Sequence, residues 1–121
     1  MKRILVVDDD DNLRELLATV LSQESRVVDV ARDGIEALEL LTQNRYDLII
    51  SDLRMPGLNG PALYEALRAT PQVTPTRVIF MTGNPTGEYA PFLRGTTEPM
   101  LEKPFSLDVV RHMVRVLLNE R

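Results

Sequence analysis

The amino-acid sequence predicts an α/β fold, a single doubly wound parallel sheet of five strands with about five helices. Short apolar runs alternate along the chain with longer segments whose apolar residues recur at helical spacing. Several of the short runs are rich in Val and Ile at consecutive positions, which is typical of strands buried on both faces. This alternation indicates right-handed crossovers that place helices on both faces of the sheet. The chain contains no internal repeat or linker-like tract, so residues 1–121 are interpreted as one domain.

Five short apolar runs are the predicted strands. They cover residues 4–7, 27–31, 46–51, 77–81 and 99–102. The third run contains Leu48, Ile49 and Ile50 in succession, and we expect it to be buried on both faces. The second run alternates apolar and polar residues, and this pattern favours a less buried position.

A predicted helix follows each strand. The helices cover about residues 11–23, 34–44, 60–70, 88–94 and 107–119. Side chains suited to capping a helix precede three of them, namely Asp10 or Asp11, Asp33 and Ser106. A proline at a favourable first-turn position follows Gly60 at the start of the third helix. The inner face of the second helix is expected to comprise Ile35, Ala37, Leu38 and Leu41.

Proline and glycine predict two irregular stretches. The first, residues 83–97, is crowded with helix breakers, among them Pro85, Gly87, Pro91 and Gly95. Helix propensity is poor there, so we expect the fourth helix to be short or distorted. In the second stretch, Pro71 and Pro75 predict an irregular connection before the fourth strand.

Charge and composition exclude several classes of protein. The chain has 14 Lys and Arg residues against 18 Asp and Glu residues, and a net charge of −4 does not support binding to nucleic acid or anionic membranes. The sequence has no cysteine, which excludes disulfides and thiolate metal sites. The apolar runs are far too short to span a membrane, and the run after Arg3 is too short for an export signal. We therefore expect a cytoplasmic location.

Five polar side chains stand at the carboxyl ends of four predicted strands. Asp8 and Asp9 follow the first strand, Asp52 the third, Thr82 the fourth and Lys103 the fifth. Since the carboxyl ends of parallel strands meet at one edge of a sheet, we expect these side chains to lie close together. Each alone has an ordinary explanation, as a helix cap, a turn residue or a surface lysine. Their occurrence together, after the correct strands of one pattern, indicates a functional site.

The chemistry of these residues suits the transfer of a phosphoryl group to a carboxylate. Three neighbouring acids repel one another unless a cation lies among them, and Mg²⁺ prefers oxygen ligands of this kind. Asp52 can then attack phosphorus as a nucleophile and form an acyl phosphate. Lys103 and Thr82 can bind the phosphoryl oxygens by charge and by hydrogen bonding. The bond between Lys103 and Pro104 can be cis or trans, and the sequence does not decide between the two.

Four short motifs resemble those of the receiver domain of two-component response regulators. They are residues 6–10 (VVDDD), 52–57 (DLRMPG), 81–83 (MTG) and 103–105 (KPF). They occur in the order and at the spacing typical of that family, and the similarity covers essentially the whole chain. The resemblance implies a flavodoxin-like receiver fold with strand order 2-1-3-4-5.

The resemblance also implies a role for each site residue. Asp52 is the expected phosphoacceptor, Thr82 the expected switch hydroxyl and Lys103 the lysine that pairs with the phosphoryl group. The expected protein ligands of Mg²⁺ are Asp9, Asp52, the backbone carbonyl of Arg54 and, through water, Asp8. The phosphoryl donor is expected to be a histidine kinase or a histidine phosphotransfer domain, and the chain a monomer or weak dimer. Such a signalling domain catalyses its own phosphorylation and dephosphorylation and is not an enzyme acting on other substrates.

One position departs from the family pattern. Many receivers have Tyr or Phe three residues before the lysine, where this chain has Met100, a flexible apolar residue that can fill the same pocket. The Pro-rich, shortened fourth helix and the ending at residues 99–105 (PMLEKPF) resemble receivers attached to hybrid histidine kinases, and this resemblance implies a relay stage or phosphate sink. Arg54 and Asn84 are expected to flank the site and to tune the access of water. His112, the only histidine, is interpreted as a structural residue on the last helix.

Three other functions remain as alternatives. A phosphatase of the haloacid-dehalogenase type also uses an aspartyl nucleophile, but it needs a second Asp two residues later, where this chain has Arg54. A flavodoxin-like FMN binder needs a phosphate-binding loop after the first strand, where four acids would repel the phosphate. A pseudo-receiver that only binds partners is disfavoured because every expected site residue is present.

Overall fold

Five parallel strands lie in the order β2-β1-β3-β4-β5 in a computed structural model that describes residues 1–70 and 76–120. The strands are β1 (Lys2–Val7), β2 (Arg26–Ala31), β3 (Leu48–Asp52), β4 (Arg77–Thr82) and β5 (Met100–Glu102). The helices are α1 (Asp11–Ser22), α2 (Gly34–Leu41), α3 (Gly60–Arg68), α4 (Ala90–Gly95) and α5 (Leu107–Leu117). The predicted fold class and strand order are confirmed. The predicted irregular connection at Pro71 and Pro75 lies outside the described residues.

Apolar side chains of the strands alternate between two cores, one on each face of the sheet. Along β1, Leu5 and Val7 belong to one core and Ile4 and Val6 to the other, and all four are fully buried. The first core is covered by α2, α3 and α4, and the second by α1 and α5. Because the central strands are covered on both faces, their carboxyl ends are held in fixed positions. Within the described ranges, no helix is long and apolar enough to cross a bilayer.

The predicted helix caps are confirmed. The side chains of Asp10, Asp33 and Ser106 cap α1, α2 and α5, each by accepting hydrogen bonds from backbone N–H groups of the first turn. Asn59 caps α3 in the same way, one residue before the predicted start at Gly60. Three of these caps close loops that leave β1, β2 and β3, so they limit how far those loops extend from the edge of the sheet.

Helix α4 is short, as the sequence predicts. It has six residues, and no side chain within the described ranges forms a capping hydrogen bond at its start. Aromatic packing holds the helix instead, because the ring of Phe92 lies edge-on to the rings of Phe80 and Tyr64 at centroid distances of 5.1 and 6.0 Å. The position of α4 therefore depends on this contact more than on helix propensity.

Two apolar residues lie outside their predicted surroundings. Ile35, predicted on the inner face of α2, is 55% exposed, because the first turn of the helix faces Gly57 in the loop after β3 and not the sheet. Met100, predicted to fill a pocket, is 37% exposed. It lies on the edge strand β5, where Leu101 takes the buried side and the alternation of the strand turns Met100 toward the more open side.

Two buried charged groups connect elements far apart in the chain, and the sequence pattern indicates neither of them. The side chain of Arg26 is fully buried and donates two hydrogen bonds to the carboxylate of Glu120, at 3.2 and 2.5 Å. Glu98 accepts hydrogen bonds from Arg68 at 2.5 Å and from Arg77 at 3.0 Å. The first pair joins the segment after α5 to β2, and the second joins the segment before β5 to α3 and β4.

Candidate functional site

The predicted site residues converge at the carboxyl edge of the sheet. Asp52 and Thr82 are the last residues of β3 and β4, and Lys103 directly follows β5. Together with Asp9, they line a cleft of about 700 Å³. Asp8 is fully buried behind the cleft. The remaining lining comes from the loops after β3 and β4: Leu53, Arg54, Met55, Pro56, Gly83, Asn84, Glu88 and Tyr89.

Three carboxylates and one ammonium group form the centre of the site. Asp8, Asp9 and Asp52 each bring an oxygen atom within 4.8 Å of the other two. The Lys103 Nζ donates hydrogen bonds to Asp8 Oδ2 at 3.1 Å and to Asp52 Oδ2 at 3.2 Å. One cation therefore bridges two of the three acids and leaves a net negative charge at the centre.

This arrangement changes the acidity of both partners. Burial raises the pKa of Asp52, and the negative charges of Asp8 and Asp9 raise it further, although Lys103 partly opposes them. Burial alone would lower the pKa of Lys103, but the charges and hydrogen bonds of Asp52 and Asp8 outweigh burial and raise that pKa. The ionised form of Asp52 therefore lowers the stability of the folded state, and a further cation in the cleft would reduce this loss.

The donor set fits the expected metal ion. Asp8, Asp9 and Asp52 offer carboxylate oxygens, which are the ligands that Mg²⁺ prefers in proteins. The backbone of Arg54, the other expected ligand, belongs to the loop that lines the same cleft. The chemistry of the residues present is therefore suited to a hard divalent cation.

Asp8 is held by hydrogen bonds to groups that no local sequence pattern connects to the site. Its Oδ1 accepts a hydrogen bond from the backbone N–H of Asp10 at 2.9 Å, and its own N–H donates to the carbonyl of Ala31 at 3.1 Å. The guanidinium of Arg14 donates to the carbonyl of Asp8 at 2.9 Å and to the Asp11 carboxylate at 2.6 Å. Arg14 therefore ties the first turn of α1 to the acidic loop.

A glycine allows α3 to pack directly against the backbone of Asp52. The N–H of Gly60 donates to the carbonyl of Leu53 at 2.8 Å. A Cβ atom at position 60 would lie 2.8 Å from the carbonyl oxygen of Asp52 and 2.9 Å from the Cα of Leu53. Since both contacts are with backbone atoms, a larger residue at this position would displace the strand end that carries Asp52.

Thr82 is held at its backbone and its hydroxyl. Its carbonyl accepts a hydrogen bond from the N–H of Lys103 at 2.8 Å, which joins the end of β4 to the residue after β5. Its hydroxyl oxygen accepts a hydrogen bond from the N–H of Asn84 at 3.0 Å. The oxygen is thus used as an acceptor, and the hydroxyl hydrogen remains available for an anion in the cleft.

An ion pair crosses the rim of the cleft. The guanidinium of Arg54, in the loop after β3, lies 2.6 Å from the carboxylate of Glu88, in the loop before α4. Both side chains are largely exposed, at 74% and 60%. Arg54 is predicted beside the site, but no local pattern indicates Glu88, because the two residues are 34 positions apart.

The bond between Lys103 and Pro104 is cis, which selects one of the two predicted possibilities. His112 is exposed on α5 and is not among the described residues that line the cleft, and its interpretation as a structural residue stays a prediction.

Comparison with known proteins gives consistent matches. Residues 4–115 match the family described as response regulator receiver domain. The response regulator MprA of Mycobacterium sp. (strain KMS) is 38% identical over 117 residues, which cover 97% of this chain and 50% of the relative. The chain thus spans about half the length of the curated relatives it matches.

Solved structures give the same match. The chemotaxis protein CheY4 of Vibrio cholerae has 28% identity and a TM-score of 0.87, with coverage of 97% of this chain and 98% of that protein. The response regulator TrrA of Thermotoga maritima, solved in complex with Mg²⁺–BeF, has 35% identity and a TM-score of 0.81, with coverage of 97% and 99%.

Proposed function

Since the chain belongs to the response regulator receiver domain family, we propose that Asp52 accepts a phosphoryl group from a phosphohistidine. The observation that carries this proposal is the position of its carboxylate, at the end of a central strand, facing a cleft that Asp9, Thr82 and Lys103 also line. In a receiver, the phosphorylated state changes the conformation or passes the group on, so the domain acts as a switch, a relay stage or a sink.

The proposed reaction is a displacement at phosphorus. A carboxylate oxygen of Asp52 attacks the phosphorus atom, an oxygen–phosphorus bond forms, and the phosphorus–nitrogen bond to the donor imidazole breaks. The electron pair of that bond stays on the imidazole nitrogen, which is then protonated by solvent. Asp52 carries the product as an acyl phosphate.

The other site residues have supporting roles in this proposal. Lys103, already 3.2 Å from Asp52, neutralises part of the charge on the transferred group. The Thr82 hydroxyl donates its free hydrogen to a phosphoryl oxygen. Asp8, Asp9, Asp52 and the carbonyl of Arg54 would hold Mg²⁺. When bound, this ion supplies positive charge that offsets the repulsion between the acids and the phosphoryl group.

We propose a histidine kinase or a histidine phosphotransfer domain as the donor, and a cytoplasmic location for the chain. We treat residues 1–121 as one receiver domain that catalyses its own phosphorylation and dephosphorylation. Attachment to a hybrid kinase and the monomeric or weakly dimeric state stay predictions. The phosphatase alternative loses support, because Arg54 stands where its acid or base is required and its side chain pairs with Glu88.

Mass spectrometry after incubation with acetyl phosphate and Mg²⁺ tests the proposal. We expect one labile phosphoryl adduct, which is absent in Asp52→Asn and suppressed by EDTA. Asp108→Asn is the matched control, since that carboxylate is exposed on α5 and should leave the adduct unchanged. A folded wild-type protein that forms no adduct would contradict the proposal and favour the pseudo-receiver.

A further inference from the structure

Two cationic side chains are among the described residues that line the cleft, and both are already paired. Lys103 is shared between Asp8 and Asp52, at 3.1 and 3.2 Å. Arg54 forms its ion pair with Glu88 at 2.6 Å. The unphosphorylated site therefore keeps one cation at its centre and a second one at its rim.

Phosphorylation of Asp52 adds negative charge to the cleft, which further positive charge can stabilise. Conversion of a carboxylate to an acyl phosphate adds about one negative charge and several acceptor oxygens. Lys103 is a point charge that already contacts two acids. The planar guanidinium of Arg54 offers donors that match phosphoryl oxygens in pairs, and it belongs to the residue two positions after Asp52.

We propose that Glu88 is a positioning residue that shortens the lifetime of the phosphorylated state by competing with the phosphoryl group for Arg54. This inference rests on the proposed function of Asp52. With Arg54 held by Glu88, the cleft stays open to hydrolytic water. When Arg54 moves to the phosphoryl group, it covers the phosphorus atom and adds a charge-assisted contact.

The exposure of the pair makes this competition feasible. Ion pairs between exposed side chains are weak, because solvent screens the charges and both side chains lose freedom. At 74% and 60% exposure, the Arg54–Glu88 pair can exchange for a contact with a more highly charged group. Loss of the Glu88 charge should therefore change the lifetime about two- to fivefold, the range set by the strength of an exposed pair.

The test follows the decay of the adduct in the intact chain. Protein is phosphorylated with acetyl phosphate and Mg²⁺, the donor is removed, and the remaining adduct is measured by mass spectrometry over time. Glu88→Gln should retain the adduct about two- to fivefold longer than the wild type. The unphosphorylated variant should also bind beryllofluoride with Mg²⁺ more tightly by a similar factor. Glu65→Gln, an exposed change on α3 outside the cleft, is the control and should match the wild type.

A double-mutant cycle separates this role from a general structural effect. If Glu88 acts through Arg54, the double variant Arg54→Gln, Glu88→Gln should behave like Arg54→Gln alone. The inference is overturned if Glu88→Gln decays at the wild-type rate, or if its effect persists when Arg54 is absent. If the wild type forms no adduct, the proposed function fails as well, and the two failures are thereby distinguished.

Discussion

Replacement of Asp52 by Asn removes one of three mutually repelling carboxylates while it keeps the shape of the side chain. We expect Asp52→Asn to be more stable than the wild type at pH 7 in metal-free buffer. Burial and the charges of Asp8 and Asp9 both disfavour the ionised carboxylate in the folded state. In the unfolded chain the carboxylate is hydrated and this cost is absent.

The size of the effect follows from the distances in the cluster. At an effective dielectric constant of about 20, two like charges at 4.8 Å, the upper limit of the separations between the three acids, repel by about 3.5 kcal/mol, and Lys103 at 3.2 Å attracts Asp52 by about 5 kcal/mol. The attraction by Lys103 is larger than the repulsion by either acid, and solvent weakens the contribution of the exposed Asp9. Burial of the carboxylate is the largest cause and decides the direction of the effect, so we expect the variant to gain about 1–2 kcal/mol, or about 3–8 °C in Tm.

Thermal unfolding of both proteins in EDTA is the assay, with Asp108→Asn as the control for loss of an exposed acid. The pKa of Asp52 is raised in the folded state, so its ionised carboxylate lowers the free energy of unfolding. This loss of stability is complete above the raised pKa, and it shrinks as the pH falls through that pKa toward the ordinary value. The difference in Tm should therefore shrink in acid. Addition of Mg²⁺ should raise the Tm of the wild type more than that of the variant. A variant that is less stable than the wild type at pH 7 would refute the reasoning.

Two other substitutions test how the site is built. Lys103→Met should lower the free energy of unfolding by about 1–3 kcal/mol, because it leaves the fully buried Asp8 without its cation. Urea denaturation in EDTA measures this loss, and a variant as stable as the wild type would contradict the expectation. The pKa of Lys103 is raised above its ordinary value of 10.5. The wild type should therefore keep the stability supplied by charged Lys103 until the pH rises through that raised pKa. Gly60→Ala should cost about 1–3 kcal/mol, because its Cβ would meet the backbone of Asp52. Gly83→Ala is the matched control, since its Cβ would have no described atom within 4 Å, and an equal loss in both would refute the packing argument.

Much of the fold and the centre of the site could be predicted because both depend on local sequence. Leu48, Ile49 and Ile50 indicate a strand buried on both faces wherever its neighbours lie. The proximity of Asp52 and Thr82 could be predicted without knowledge of contacts, because the ends of parallel strands meet at one edge.

Side-chain partners distant in sequence could not be predicted. Arg26 and Glu120 are 94 residues apart, and no local pattern connects a buried arginine with the segment after the last helix. The same holds for Arg54 and Glu88 at the rim. The exposure of Ile35 could not be predicted for a different reason. Helical periodicity identifies the apolar face of a helix, but it does not show which turn of a short helix reaches the core.

Helix α4 has a consequence for local unfolding. With six residues and no capping hydrogen bond from a described side chain, its backbone amides should exchange with deuterium through openings that cost far less than global unfolding. The amides of α1, a capped helix of 12 residues, should be much better protected. Binding in the adjacent cleft should therefore shift the position of α4 more easily than that of α1.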